Sequence, residues 1–278
     1  RCLVGSEMCI RDRFYSILIF LLILLNFSTV CADDVDNEGE FENTVEVTAS
    51  SVTALPKTNS RRYIVYDRIS KSMIIGKNED VKSAMASTTK IMTTIVILEK
   101  SDLDETVTVS AKAGGTGGSR LGLKRGDKAS VKDLLYGLML RSGNDAAVAL
   151  AEHVGGSVKE FAELMNEKAI ELGLTNTHFV TPHGLDDANH YTTALELAKL
   201  TDYAMDNETF AKIVGTKSTT IYINNQPRQI NNTNELLGVL NGVVGVKTGF
   251  TNNAGRCLVT ETKRNNTVSY THLTLPTT

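Results

Sequence analysis

Cysteine and net charge are both scarce in this sequence. The formal net charge is −3, so electrostatics give no reason to expect a nucleic-acid partner. Three of the four cysteines, Cys2, Cys9 and Cys31, lie near the N-terminus, and only Cys257 lies in the rest of the chain. A lone cysteine cannot form an intramolecular disulfide, so the fold must depend on its hydrophobic core. We expect Cys257 to be a small buried residue of that core.

Two motifs that would point to other chemistries are missing. The glycine-rich segment 114–119 is not followed by Gly-Lys-Ser/Thr, so we interpret it as a loop and not as a phosphate-binding site. The sequence contains no His-Glu-x-x-His motif, although His178, His183, Asp187 and His190 are clustered. We therefore expect no metal and no cofactor, and a zinc carboxypeptidase stands as an alternative.

We expect the two ends of the chain to lie outside the folded domain. Within residues 13–32, Arg13, which follows Arg11 closely, precedes an apolar run and a small-residue cleavage position, which predicts a secretory signal peptide. Residues 33–60 are acidic and then polar, as in a solvated linker. Residues 1–12 and 268–278 resemble translated sequencing adapter, and we expect them to carry no fold information. The remaining residues 61–267 would then form one domain that lacks its C-terminal part, including the next strand of its sheet.

Residues 86–98 predict a buried helix, because the segment is apolar on nearly every face after Lys90. Its first turn nevertheless carries Ser87 and Lys90, three positions apart and therefore on one face. A buried hydroxyl beside an amine is a candidate nucleophile with its base. The helix N-terminus adds backbone N–H donors that suit a developing oxyanion.

The rest of the pattern predicts strands at both ends of the domain and helices between them. Hairpin-like segments flank the buried helix, and residues 121–127 also suggest a small hairpin. Capping residues predict the starts of four further helices; they are Ser130, Ser157, Thr193 and Asn207. Strands from both termini imply an antiparallel sheet packed on a helical cluster, which is an α+β fold.

Two more short motifs accompany Ser87-x-x-Lys90. They are Ser142-Gly143-Asn144 and Lys247-Thr248-Gly249, and each of the three patterns occurs once in the chain. Any one of them alone is weak, but all three in this order are strong evidence. From about Tyr63 to about Asn266, the sequence resembles the D-alanyl-D-alanine carboxypeptidases of peptidase family S11, which are low-molecular-mass penicillin-binding proteins.

The resemblance implies a penicillin-binding protein/β-lactamase-like fold in which residues 61–267 are the catalytic domain. It also implies a role for each motif. Ser87 would be the nucleophile and Lys90 its base, Asn144 would bind Lys90 or the substrate, and Ser142 would relay a proton. The substrate's terminal carboxylate would meet Lys247 and Thr248, and Gly249 would leave room for it. The backbone N–H groups of Ser87 and Phe250 would form the oxyanion hole.

The same resemblance implies a peptidoglycan stem peptide ending in D-Ala-D-Ala as substrate and β-lactams as covalent inhibitors. It further implies secretion to the bacterial cell envelope, at the outer face of the cytoplasmic membrane, with membrane association inferred from the family only. A class A-like β-lactamase is one alternative, but residues 175–192 contain no glutamate to activate water, only Asp186 and Asp187. A catalytically inactive wall-binding homologue is another alternative, although Ser87 and Lys90 are intact.

Overall fold

A computed structural model describes the backbone of residues 58–264 and 267–275, with side chains as far as residue 263. The predicted adapter-like segment 1–12, the signal peptide 13–32 and nearly all of the linker 33–60 lie outside the described residues. Within the described part of the chain, no helix is both long and apolar enough to cross a membrane.

Within the described residues, nine strands form one five-stranded sheet and two separate two-stranded sheets. The large antiparallel sheet has the order β2-β1-β9-β8-β7, while β3 pairs with β4 and β5 pairs with β6. The strands are β1 Arg62–Asp67, β2 Ser72–Lys77, β3 Thr106–Thr108, β4 Lys128–Ser130, β5 Ser218–Ile223, β6 Gln226–Asn231, β7 Val243–Thr251, β8 Gly255–Arg264 and β9 Thr267–Leu275. The large sheet therefore combines strands from both ends of the domain, as predicted.

A single buried helix occupies the centre of the helical cluster. The helices are α1 Lys90–Lys100, α2 Ala111–Gly114, α3 Val131–Leu140, α4 Asn144–Gly155, α5 Val158–Glu171, α6 Ala194–Met205 and α7 Glu208–Val214. Helix α1 contacts α3, α4, α5, α6 and α7. Its residues from Ile91 to Ile97 are all buried. Other helices can cover it on all sides because its only polar side chains in this stretch are threonines. Thr94 satisfies its hydroxyl within the helix, by donating to the carbonyl of Lys90.

The helix starts follow the predicted capping residues. The side chains of Ser130, Ser157, Thr193 and Asn207 each accept a hydrogen bond from the backbone N–H three residues later. These predictions are confirmed because a cap is a local interaction, set by residues close together in the sequence.

The predicted small hairpin at residues 121–127 is wrong. Residues 121–123 are not a strand, because their backbone N–H groups donate to a side chain and not to a neighbouring strand. The buried carboxylate of Asp145 accepts from Leu121, Gly122 and Leu123 at 2.8–2.9 Å. A carboxylate that lies 22 to 24 residues away thus replaces the strand ladder.

The expectation that the large sheet lacks the strand after β8 is also wrong. Residues 267–275 form β9, which pairs with β8 on one side and with β1 on the other. A ladder is made by backbone N–H and C=O groups, and residues 267–275 contain no proline to interrupt it. The segment is also rich in threonine, valine and tyrosine, which favour strands.

Candidate active site

The candidate nucleophile and base lie on either side of a change of helix type. Residues Ala86–Thr89 form a 3₁₀ turn, here called the serine turn, and the α-helix begins only at Lys90. In a 3₁₀ turn the side chains at positions i and i+3 eclipse each other. The Nζ atom of Lys90 therefore lies 3.0 Å from the Oγ atom of Ser87.

Lys90 is fully buried with three polar contacts. Besides Ser87, its Nζ contacts Oδ1 of Asn144 at 2.7 Å and the backbone carbonyl of His183 at 2.9 Å. Burial lowers the pKa of Lys90 well below its usual value, and the charge on Lys247 lowers it further, against the smaller opposite effect of Asp145.

A neutral amine fits these three contacts. It has two N–H groups, which can donate to Asn144 and to the His183 carbonyl, because both of those are acceptors. Its lone pair then faces Ser87 and can accept the serine proton. This is the arrangement that a general base requires.

The Ser-x-Asn motif lies where α3 ends and α4 begins. Asn144 is the first residue of α4, and its Nδ2 donates to the carbonyl of Gly117 at 2.8 Å, which fixes the orientation of the amide. Ser142 has a positive φ of 58° and is 7% exposed, on the wall of the cleft. The roles predicted for Ser142 and Asn144 remain predictions, but the structure places both residues beside the Ser87–Lys90 pair or its cleft.

The Lys-Thr-Gly motif lies on β7, an edge strand of the large sheet. Lys247 is 1% exposed and donates to the carbonyl of Thr248 at 2.8 Å. Its burial lowers the pKa to about 7. The hydroxyl of Thr248 contacts that of Thr233 at 2.9 Å. The motif therefore offers one buried amine and one oriented hydroxyl.

Gly249 is required by the close approach of β7 to the serine turn. A Cβ atom at this position would lie 2.9 Å from the backbone nitrogen of Ser87 and 3.1 Å from Cβ of Ala86. The next residue, Phe250, carries the second predicted oxyanion donor on its backbone, while its side chain is exposed. The two predicted donors thus lie on segments that contact each other.

One open cleft with a volume of about 540 Å³ lies at the candidate site. Its walls include Ser87, Ser142, Thr248, Gly249 and Phe250 from the predicted site. The outward edge of β7 borders the space in which an extended peptide could pair as a further strand. An acyl transfer to Ser87 would have its nucleophile and candidate oxyanion donors on the wall of this cleft, with the buried base Lys90 in contact with the nucleophile.

The sequence did not reveal several residues that hold the site together. The His183 carbonyl and the Gly117 carbonyl are backbone groups, so no side chain indicates them. Thr233 lines the cleft, but a lone threonine carries no pattern. The sequence singles out Asp186 but does not reveal its contact. Its carboxylate accepts from the hydroxyl of Thr251, at the end of β7, at 2.6 Å.

The clustered histidines considered for a zinc site make other contacts. In His190, Nε2 contacts the Thr89 hydroxyl and Nδ1 accepts from the backbone N–H of Val180. In His183, Nδ1 accepts from the backbone N–H of Leu185. No group of three or more potential ligands for a metal occurs among the described residues.

Comparison with known proteins gives a consistent set of relatives. A family model described as D-alanyl-D-alanine carboxypeptidase matches residues 47–271. The D-alanyl-D-alanine carboxypeptidase DacF of Bacillus subtilis is 38% identical over 209 residues, covering 73% of this chain and 54% of that protein. DacC of Escherichia coli is 39% identical over 235 residues, covering 76% and 55%. The chain therefore spans about half the length of these curated relatives.

The solved structures of similar proteins share the fold. The crystal structure of the Streptomyces K15 DD-transpeptidase matches with a TM-score of 0.76 and 34% identity, covering 80% of this chain and 92% of that one. The carboxypeptidase DacD from Francisella tularensis matches with a TM-score of 0.73 and 30% identity, covering 80% and 67%. The α+β fold expected from the sequence, of the penicillin-binding protein/β-lactamase-like type, is confirmed.

Proposed function

The chain belongs to peptidase family S11, the D-alanyl-D-alanine carboxypeptidases, and from this premise we propose that it is a serine peptidase that removes the terminal D-alanine from peptidoglycan stem peptides. The observation that carries the proposal is the contact of 3.0 Å between Lys90 Nζ and Ser87 Oγ, in a buried setting that favours the neutral amine. The substrate would be a peptide ending in D-Ala-D-Ala.

The acylation step can be written with these residues. Lys90 accepts the proton of Ser87 as the serine oxygen attacks the carbonyl carbon of the scissile bond. The backbone N–H groups of Ser87 and Phe250 bind the resulting oxyanion. The bond to the departing nitrogen then breaks, and the proton passes from Lys90 through Ser142 to the amine of the released D-alanine. Water hydrolyses the ester and restores the serine.

Lys247 and Thr248 would select peptides with a free C-terminus. A charged ammonium and a hydroxyl on the same edge strand suit the terminal carboxylate of the substrate. Gly249 permits the peptide and the serine turn to lie close together. The same groups would bind the carboxylate of a β-lactam, which would acylate Ser87 and act as a covalent inhibitor.

We also propose that the protein is exported and acts at the outer face of the cytoplasmic membrane. The sequence pattern of residues 13–32 supports the export, and the chemistry of the substrate requires access to the cell wall. Fusing residues 1–32 to a reporter enzyme that is active only outside the cytoplasm would test it. A reporter that stays inactive would contradict the export.

A stable penicillin adduct on Ser87 is the first expected result. Incubation with a fluorescent penicillin should add one acyl group, found by mass spectrometry on the peptide containing Ser87. Ser87→Ala should abolish the adduct and leave the melting temperature nearly unchanged, since Ser87 is only partly buried and its partner Lys90 keeps its contacts with Asn144 and the His183 carbonyl. Rapid return to the free mass would support the β-lactamase alternative. An intact Ser87 that takes no label and cleaves no D-Ala-D-Ala peptide would support the inactive homologue.

A fall in kcat/KM above about pH 7 is the second expected result, for a peptide with a free C-terminal carboxylate. Burial lowers the pKa of Lys247 to about 7. Below this pH the ammonium is charged and binds the carboxylate, and above it the charge is lost. We expect KM to rise with pH while kcat changes less.

The control for this pH profile is the same peptide with a C-terminal amide. Because the amide carries no charge, its binding should not follow the ionisation of Lys247. The ratio of kcat/KM values for acid and amide should therefore fall through about pH 7. A ratio that is constant from about pH 6 to about pH 9 would contradict the role of Lys247.

A further inference from the structure

The loop of residues 175–192 packs against the back of the serine turn. Gly184, with a φ of +84°, lies so close that a Cβ atom would be 1.9 Å from the carbonyl oxygen of Ala86. The carbonyl of Pro182 accepts from the hydroxyl of Thr93 at 2.7 Å. The loop is therefore in direct contact with the backbone that precedes the nucleophile.

The neighbours of one buried side chain of this loop, His190, determine which of its ring nitrogens carries the proton. His190 is 3% exposed, and its Nδ1 lies 2.9 Å from the backbone nitrogen of Val180. That nitrogen can only donate, so Nδ1 is the acceptor and the ring proton lies on Nε2. Burial lowers the pKa of His190 to about 4, so the ring is neutral near neutral pH.

The proton on Nε2 starts a short chain of hydrogen bonds that ends on the serine turn. Nε2 donates to the hydroxyl of Thr89 at 2.8 Å. The hydroxyl of Thr89 in turn donates to the carbonyl oxygen of Ala86, also at 2.8 Å. Linked donors of this kind polarise one another in the same direction.

The carbonyl of Ala86 belongs to the same peptide group as the backbone N–H of Ser87. A trans peptide group is planar, with its oxygen and its hydrogen pointing in opposite directions. Fixing the oxygen of Ala86 toward Thr89 therefore fixes the direction of the Ser87 N–H, which is one of the two proposed oxyanion donors.

This peptide group needs such support because Ala86 has an unfavourable conformation. Its φ is +49°, in the left-handed region that is unfavourable for a residue with a Cβ atom. A strained residue directly before a nucleophile keeps its conformation only where surrounding contacts hold it.

We propose that His190 is a positioning residue for the oxyanion hole, and that it orients the Ser87 N–H through the hydroxyl of Thr89 and the carbonyl of Ala86. The inference rests on the proposed acyl transfer to Ser87. It adds to that function a residue that touches neither the substrate nor the reacting atoms.

Thr89 provides the sharper pair of variants for a test. Thr89→Val removes the hydroxyl at nearly constant shape, and Thr89→Ser keeps the hydroxyl. We expect Thr89→Val to lower kcat, and the rate of penicillin acylation, about 10-fold with little change in KM, because the lost orientation matters in the transition state. Thr89→Ser should stay within about twofold of the parent protein.

His190 provides a second pair that separates orientation from loop anchoring. Gln at this position places an amide N–H near Nε2 and can still donate to Thr89. Asn places its amide oxygen near Nδ1 and can still accept from Val180, but it does not reach Thr89. We expect His190→Gln to retain the faster acylation, whereas His190→Asn should have the higher melting temperature. If His190 only anchors the loop, including through its contact with Phe179, the variant with the higher melting temperature should also have the faster acylation.

The diagnostic readout compares an ester substrate with its thiono analogue, in which sulfur replaces the scissile carbonyl oxygen. Sulfur is a poor acceptor, so a well-oriented oxyanion hole favours the oxygen substrate. The ratio of kcat/KM values, oxygen over sulfur, should fall in Thr89→Val and be restored in Thr89→Ser. Equal ratios in the parent protein and in Thr89→Val would overturn the inference.

A measurement that needs no turnover separates this inference from the proposed function. In protein labelled with ¹⁵N at serine, the amide signal of Ser87 is identified by its loss in Ser87→Ala. It should shift in Thr89→Val and return in Thr89→Ser. An unchanged signal in Thr89→Val would contradict the positioning role even in an inactive protein. A shifted signal in a chain that neither cleaves peptide nor takes penicillin would instead refute the proposed peptidase function alone.

Discussion

Replacing Lys90 with methionine is expected to slow the acylation of Ser87 by penicillin about 10²- to 10⁴-fold, the range that a positioned general base contributes. Methionine has nearly the length of lysine and fills the same buried space, so the change removes the amine at nearly constant side-chain volume. The measurement is the second-order rate of labelling by a fluorescent penicillin, with the melting temperature recorded alongside.

The size of this effect follows from the surroundings of the amine. A serine hydroxyl is a weak nucleophile unless a base takes its proton. Among the described residues, Lys90 Nζ is the amine in contact with Ser87 Oγ, and its lowered pKa leaves it free to accept. The substitution also leaves Asn144 Oδ1 and the His183 carbonyl without this partner, at about 1–3 kcal/mol for each unsatisfied group.

The matched control is Lys100→Met at the other end of the same helix. Lys100 is exposed in the last turn of α1, so its loss should change neither the labelling rate nor the fold. If Lys90→Met labels as fast as the parent protein, Lys90 is not the base. If it unfolds, the labelling rate has to be compared with that of Asn144→Ala, which removes one partner of the amine and leaves the amine itself.

The parts of the site that the sequence predicts are those that depend on residues close together in the chain. The three-residue separation of Ser87 and Lys90 places them together whether the turn is α or 3₁₀. The room that Gly249 would leave for the substrate stays a prediction; in the structure the missing Cβ atom makes room for the backbone nitrogen of Ser87. Long-range neighbours were less accessible. Asp145 removes the N–H groups of residues 121–123 from any strand, and this depends on a contact that no local pattern encodes.

The C-terminal strand was missed for a different physical reason. The resemblance of residues 268–278 to adapter predicts that they carry no fold information, but a ladder depends on backbone groups and on alternation, not on the origin of the residues. Strand β9 fills the position between β1 and β8. Without it, the hairpin of β1 and β2 would have no strand connecting it to the rest of the large sheet.

Ending the chain after Arg264 is therefore expected to abolish cooperative folding and penicillin labelling together. The truncation removes two ladders at once, with nine residue pairs to β8 and six to β1. An isolated two-stranded hairpin is at best marginally stable in water. Each lost hydrogen bond contributes about 0.5–1.5 kcal/mol, and a domain has only about 5–15 kcal/mol in total. Thermal unfolding followed by circular dichroism, with labelling on the same sample, is the measurement.

A graded version of the test uses a single position in the middle of β9. Thr271 pairs with Val65 in β1 and with Thr260 in β8. Thr271→Pro removes a backbone donor from a central strand, where proline is not accommodated, whereas Thr271→Val keeps the donor and a strand-favouring shape. We expect Thr271→Pro to lower the melting temperature by about 10 °C, at roughly 2–4 °C per kcal/mol for a domain of this size. Thr271→Val should leave it nearly unchanged.

If the chain that ends at Arg264 instead unfolds cooperatively at the parent temperature and still takes penicillin, β9 contributes nothing to the fold, and the sheet is complete in β1, β2, β7 and β8.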